Sequence, residues 1–274
     1  MSKSVFECPI CGKEMNRDAR SYRCGTGHCF DIAKEGYVNL LPANRRHSEL
    51  PGDDREMVRA RTMFLDGGWY APLRDELCIL ADERTKEKAI LVDAGCGEGY
   101  YTEALANIIS KKGGKTAGID LSKAAARKAS RRCPEVEIAV ASVYRMPLAK
   151  QSVNVVANCF APLAIEEFAR ILKPHGWFLY VVPGQRHLWE MKEILYERPY
   201  ENELREESYA GFRQAGEFPV EFRFRLEKQE EIAALLRMTP YSWKTPKSGI
   251  ERLTEYRELE ITAQFRILVF EKEA

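Results

Sequence analysis

The stretch "AILVDAGCGEGYYTEALANII", opening at Ala89, constrains this chain more than any other. Ala89 to Val92 is a short apolar run and predicts a buried parallel strand. It ends in Asp93-Ala94-Gly95-Cys96-Gly97-Glu98-Gly99, and a helical pattern follows from Tyr101 to Ile109. Strand, glycine turn and helix make a nucleotide-cofactor crossover, in which glycines permit positive φ and close approach of backbone to ligand. The glycine spacing alone is a weak signal, since nicotinamide and flavin sites use it too. Two acidic residues sharpen it. Asp93, at the strand end, suits a cationic amino-acid ligand better than a pyrophosphate. "GKTAGIDLS" predicts a second strand ending at Asp120, about 20 residues after the loop, where a carboxylate accepts hydrogen bonds from ribose hydroxyls. A ligand with a ribose, an ammonium group and no phosphate meets both demands, as S-adenosylmethionine does.

A second feature precedes it. "CPICGKEMNRDARSYRCGTGHC" holds four of the chain's eight cysteines and one of its four histidines. No apolar run approaches the roughly 20 residues needed to span a bilayer. "MSKSVFECPI" lacks the apolar segment of a secretory signal. A cytoplasmic location is therefore expected, where thiols stay reduced, and this disfavours a disulfide reading. Cys8-x-x-Cys11, then Cys24 and His28-Cys29 after a gap of about a dozen residues, match two knuckles closing on one structural zinc. Cys8, Cys11 and Cys24 supply three ligands. The fourth is His28 or its neighbour Cys29, because Gly25 and Gly27 let either reach. Four protein ligands leave no open position for catalysis. About 40 residues cannot build a sufficient core, so the metal would supply folding energy.

Downstream, "VEIAVASV" and "SVNVVANCF" read as third and fourth strands. "IEEFARILKPHGWFLYVV" reads as helix, turn and fifth strand. "ITAQFRILVFEKE" alternates as a late edge or hairpin strand. "LKPHGW" resembles the "LKPGG" turn of class I methyltransferases, and the element order looks like their seven-stranded, Rossmann-like α/β sheet. In that class the segment after the fourth strand commonly contacts the target. Here it is "NCFAPLA", so Phe160 could stack on a target base and Pro162 could shape the pocket, with core packing the competing role for Phe160. Glu166 and Glu167 lie nearby but read as a helix face, and no general base can be assigned.

The formal net charge is +1, so any nucleic-acid surface must be local. "NRRHSELPGDDREMVRARTMF" concentrates arginine at Arg45, Arg46, Arg55, Arg59 and Arg61. On a helix Arg55 and Arg59 share one face, and such a face could track phosphates. Asp53, Asp54 and Glu56 partly offset it. A second basic run, "KAAARKASRR" from Lys123 to Arg132, reads as a solvated helix face.

Three stretches together resemble one family: the cysteine knuckles followed by "FDIAKEGYVNLLP", the loop "LVDAGCGEGYYT", and "PGQRHLWEMKEILY". They are similar to the RlmA family of methyltransferases, which modify N1 of a guanine in a hairpin of 23S ribosomal RNA. "PGDDREMVRARTMFLDGGWYAPLRDEL" and "LLRMTPYSW" extend the likeness over nearly the whole chain. The resemblance implies zinc ligands at Cys8, Cys11, Cys24 and His28, although Cys29 departs from the family pattern. It implies cofactor contacts at Tyr70, Gly97, Glu98, Asp120 and His187, beside Asp93 and Gly95 read from the loop itself. It also implies a homodimer. The expected organisation is a zinc-binding module over 1–41, a basic connector over 42–69 and a methyltransferase domain over 70–274. Candidate RNA contacts are Arg45, Arg46, Arg59, Phe160 and Pro162. Two other readings stay open: a small-molecule methyltransferase with an appended zinc module, and a non-enzymatic zinc-ribbon adaptor. Binding of S-adenosylmethionine separates the second from the rest, and RNA as methyl acceptor separates the first.

Overall fold

The chain begins with an antiparallel ribbon of β1 (Ser2–Glu7), β2 (Glu14–Arg17), β3 (Ser21–Cys24) and β4 (Cys29–Asp31), in that spatial order. The computed structural model describes residues 2–42, 52–204 and 208–274, so Arg45 and Arg46 lie outside the described residues. Next come β5 (Val38–Asn39), α1 (Arg55–Asp66), α2 (Ala71–Glu83), β6 (Ile90–Ala94), α3 (Tyr100–Lys111), β7 (Lys115–Asp120), α4 (Lys123–Arg132) and β8 (Glu137–Val140). They are followed by β9 (Val153–Cys159), α5 (Ile165–Ile171), β10 (Leu172–Pro183), α6 (Trp189–Leu195), β11 (Phe212–Leu226), α7 (Gln229–Arg237), α8 (Tyr241–Lys244), α9 (Lys247–Thr254) and β12 (Leu259–Lys272).

Eight of these strands form one sheet in the order β11-β12-β10-β9-β6-β7-β8-β5. The run from β10 to β5 is parallel, whereas β12 is antiparallel to both β10 and β11. Without β5 this is the expected seven-stranded order of the methyltransferase sheet. The central strands are apolar along their length because helices cover both faces, and Leu91, Val92, Val155, Val156, Leu179 and Val181 are fully buried. The chain winds outward from β6 to β8, then returns to place β9 on the other side of β6. Such a reversal opens a crevice at the carboxyl ends of the strands, where open α/β sheets bind ligands.

The late strand differs from expectation. β12 pairs antiparallel with β11 across a connection that carries α7, α8 and α9 rather than a hairpin turn, and it lies inside the sheet rather than at its edge. The edge is β11, and that position tolerates Pro219, which has no N–H to donate. The "LKPHG" turn is absorbed into the start of β10, where the register with β9 breaks between Leu172 and Trp177 and His175 takes φ 61°.

The ribbon docks against the β8 side of the sheet. Ser4 Oγ and the Val5 amide donate to the Glu137 carboxylate at 2.6 and 3.1 Å, and the Glu7 amide donates to Pro147 O at 2.8 Å. Phe6, Met15 and Tyr22 join one apolar cluster with Ala139, Ala141 and Met146. Burying each large side chain contributes roughly 1.5–3 kcal/mol, so this face anchors a module too small to hold itself. β5 then carries the chain into the large sheet by pairing with β8.

Candidate functional site

The glycine turn sits at the mouth of the crevice. Gly95, Gly97 and Gly99 all have positive φ, at 87°, 54° and 90°. At Gly95 a Cβ would stand 2.2 Å from Ala161 Cβ, so only glycine lets the turn lie against the loop after β9. The Gly97 amide donates to Asp120 Oδ2 at 2.9 Å, and the Ser122 amide donates to Asp120 Oδ1 at 2.7 Å. These bonds fix the Asp120 carboxylate at the end of β7, facing the turn. Asp93, Glu98 and Asp120 thus converge on one small region, and Asp93 and Glu98 are buried. Burial pushes all three carboxyls up, Asp93 to about 7. Arg61 opposes the rise at Glu98 and Asp120, and the Thr102 hydroxyl, donating to Asp93 Oδ2 at 2.6 Å, opposes it at Asp93.

An aromatic cluster adjoins the turn through Tyr101 and Phe160. Tyr70 caps α2 and is ringed edge-on by Phe64, Phe222, Phe224 and Phe265 at 5.0–6.2 Å. His187 lies 6.4 Å from Tyr70 and 4.5 Å from Phe265. Its Nδ1 accepts from the Gln264 amide at 3.2 Å, which leaves the proton of the neutral ring on Nε2. Burial, with the Lys192 charge adding, pushes the imidazole down to about 3, so the ring stays neutral. Phe160 follows β9 with φ 57° and is 48% exposed, so it is a rim residue rather than core. Its ring touches Tyr101 and Phe265 at 6.4 and 5.4 Å. Pro162 is exposed beside it and accepts from Asn158 Nδ2 at 3.4 Å.

Buried polar atoms rarely go without partners. Six do so among the described residues, and four of them are Tyr70 OH, Asp93 Oδ1, Tyr101 OH and Asn158 Oδ1. Tyr70 and Tyr101 belong to the aromatic cluster, Asp93 is at the end of β6, and Asn158 Nδ2 donates to Ala94 O at 2.9 Å beside the turn. Two of these atoms are acceptors and two are hydroxyls. A ligand with an ammonium group, a carboxylate and a ribose suits that set and the acidic end beside Asp120, so the residues fit S-adenosylmethionine. Tyr101, Asn158 and Thr102 escaped the sequence reading. The "GYYT" turn of α3 hinted at Tyr101, whereas Asn158 had no local signal.

The knuckles meet at the tip of the ribbon. Ligand atoms of Cys8, Cys11, Cys24 and His28 all lie within 4.8 Å of one another. Cys11 Sγ and Cys24 Sγ are 3.8 Å apart, and His28 Nδ1 is 3.4 Å from both Cys8 Sγ and Cys24 Sγ. A tetrahedral ion with Zn–S bonds of about 2.3 Å has S···S edges of about 3.8 Å. The donor set and its dimensions therefore fit zinc. Cys29 begins β4, is exposed, and stands outside this group.

Arg55 and Arg59 share the exposed face of α1, as their spacing predicts. Arg61 departs from them. Two positions on from Arg59, it turns inward and pairs with Asp53. The second basic run is half engaged: Arg127 and Arg131 pair with Glu35 at 3.1 and 3.5 Å, and Arg132 pairs with Asp66 and Glu103. Glu167 is held by Arg170 at 2.7 Å, and Glu166 is exposed in the first turn of α5, which is the helix-face role expected of both. Among the described residues no helix is long and apolar enough to cross a membrane.

Comparison with known proteins agrees with this architecture. Residues 6–49 match the family model described as "RlmA, N-terminal", a zinc ribbon, and residues 92–180 match a methyltransferase-domain model. The chain is 35% identical over 93% of its length to the 23S rRNA (guanine(748)-N(1))-methyltransferase of Streptomyces fradiae, covering 93% of that protein. It is 33% identical over 97% of its length to YxjB of Bacillus subtilis (strain 168), provisionally named a 23S rRNA (guanine-N(1)-)-methyltransferase, covering 96% of it. A solved structure from Anaeromyxobacter dehalogenans, provisionally described as a type II methyltransferase, superposes with a TM-score of 0.52 at 20% identity. It covers 71% of this chain and 94% of its own. That likeness bears on the fold alone.

Proposed function

The chain belongs to the RlmA family of 23S rRNA (guanine-N1)-methyltransferases, and from that premise we propose that it transfers a methyl group from S-adenosylmethionine to N1 of one guanine in a hairpin of 23S ribosomal RNA. The observation that carries the reading is the set of partnerless buried polar atoms around the glycine turn, at Tyr70, Asp93, Tyr101 and Asn158. Asp93, with Asn158, would hold the ammonium group, and Asp120 and Glu98 the ribose hydroxyls. Gly95 and Gly97 would lie against the ligand's backbone-facing side. Tyr70 and His187, whose Nε2 carries a proton, would face its carboxylate end.

When bound, the sulfonium supplies an activated methyl group and needs no metal. The protein's task is positioning. Guanine N1 carries a proton and is a poor nucleophile, so that proton must leave as the N–CH₃ bond forms. Holding the two reactants in attack geometry supplies most of the acceleration. A stacked guanine must first be drawn from its stack or presented by a loop. Phe160, exposed at the rim beside Tyr101, suits a stacking platform, and Pro162 would border it. Arg59 on the open face of α1, with Arg45 and Arg46 before it, would follow the RNA backbone. Cys8, Cys11, Cys24 and His28 would hold one zinc, which shapes the ribbon without entering the chemistry. The proposed organisation is a zinc-binding module over 1–41, a connector over 42–69 and a methyltransferase domain over 70–274; action in the cytoplasm on ribosomal RNA follows from the proposed substrate, and a homodimer is proposed from the family.

Labelled S-adenosylmethionine incubated with unmodified 23S rRNA, followed by nucleoside analysis, tests the proposal. Label in 1-methylguanosine supports it. Cofactor binding without label in RNA moves the reading to a small-molecule acceptor.

A further inference from the structure

Arg61 lies at the acidic end of the crevice, beside Asp53, Glu98 and Asp120. Its side chain is only 25% exposed, and its guanidinium pairs with Asp53. A Cβ built on Gly97 would stand 3.8 Å from Arg61 Nη1, so the guanidinium lies directly over the glycine turn. Glu98 and Asp120 both feel its charge. Three carboxylates, Asp53, Glu98 and Asp120, therefore face this one guanidinium. The Nη1 that lies over the turn is also the atom that pairs with Asp53, so one guanidinium group joins the turn to the connector.

The same residues clamp the connector. Asp53 O accepts from Ser122 Oγ at 2.7 Å, and Ser122 is the cap of α4, where its hydroxyl also accepts from the Ala125 amide at 3.2 Å. Gly52 approaches so closely that a Cβ there would stand 2.9 Å from Ser122 N. The Ser122 amide in turn holds Asp120. One unbroken set of contacts thus runs from α1 through Arg61 and Asp53 to the loop that carries Asp120.

We propose that Arg61 is a cofactor-positioning residue: reaching in from α1, it fixes Glu98 and Asp120 for the ribose hydroxyls and, through Asp53, ties the connector to that side of the site. This rests on the reading that the glycine-turn site takes S-adenosylmethionine. Two buried carboxylates side by side repel one another and are costly to keep charged without a cation between them. A ribose diol needs them charged and held still. The alternative is that Arg61 merely anchors α1, in which case its loss weakens folding but not ribose recognition.

Calorimetry with S-adenosylhomocysteine and its 2′-deoxyribose analogue separates these roles. Wild-type binding of S-adenosylhomocysteine tests the cofactor reading first; no binding would overturn that reading and this inference together. Given binding, Arg61→Ala should weaken it by about tenfold or more, as loss of a charged contact does. Arg61→Lys should recover part of the loss. The further penalty for the 2′-deoxy analogue should be smaller in Arg61→Ala than in wild type, because the carboxylates that read the hydroxyl are no longer held. Asp53→Asn, which keeps the fold's apolar contacts, should show the same pattern more weakly and serves if Arg61→Ala does not fold. Binding by these variants within about twofold of wild type, or a deoxy penalty identical in all of them, would overturn the inference.

Discussion

Asp93 offers a quantitative test of the cofactor site. Its carboxyl is buried, is pushed up to about 7 chiefly by burial with Asp120 and Glu98 adding, and leaves Oδ1 without a partner. An ammonium group placed at Oδ1 favours the ionised form. The free protein is therefore about half protonated near pH 7, and the complex is ionised. Cofactor affinity is fully present above that pH and declines as pH falls through it. At about pH 6 only about one-tenth of the free protein is ionised, so Kd should be about tenfold weaker than near pH 8. Binding near pH 7 should release about half a proton, measurable by calorimetry in buffers of different ionisation enthalpy. Asp93→Asn preserves size but not charge. It should abolish the pH dependence and weaken binding at about pH 8 by about ten- to a hundredfold. A wild-type Kd that stays flat across this range with no proton release would refute the reasoning.

Three further outcomes follow from the structure. Purified protein should carry about one zinc per chain; Cys24→Ser should lose it and loosen the ribbon, while Cys29→Ser keeps it, as metal analysis would show. His187 holds its proton less readily when folded, at about 3, than its ordinary 6.5. The unfolded chain therefore takes up that proton first on acidification, so stability is intact above about pH 6.5 and falls by up to about 1.4 kcal/mol per unit below it. Denaturant melts of His187→Asn should show a shallower slope, and an unchanged slope would count against burial of a neutral ring. Phe160→Ala should reduce methyl transfer to RNA by about tenfold or more while leaving cofactor Kd within about twofold, since a base-stacking platform contributes about 1–3 kcal/mol.

Much of this was legible because some chemistry leaves little choice of residue. The turn from Asp93 to Gly99 needs positive φ and room for Ala161, which only glycine gives. A zinc cage needs thiolates and imidazole at knuckle spacing. What stayed hidden depended on tertiary placement. His28 and Cys29 are equivalent on paper; the fold turns His28 toward Cys8 and Cys24 and leaves Cys29 outward on β4. Arg61 reads as one more basic residue, yet its offset from Arg59 carries it off the exposed face and into the crevice. β11 alternates cleanly around Phe218, Val220, Phe222 and Phe224, but Pro219 disguises it, and only its edge position makes that proline harmless. Asn158 sits in an apolar strand and announces nothing until the buried acceptor is seen beside Ala94.

The central claim is methyl transfer to a single guanine N1, and primer extension on 23S rRNA treated with the protein and S-adenosylmethionine tests it most directly. A methyl group on N1 blocks Watson–Crick pairing and halts reverse transcriptase. One new stop, dependent on cofactor and weakened in Asp93→Asn at limiting cofactor, is the predicted result. An unchanged extension pattern from protein that binds the cofactor would contradict the account.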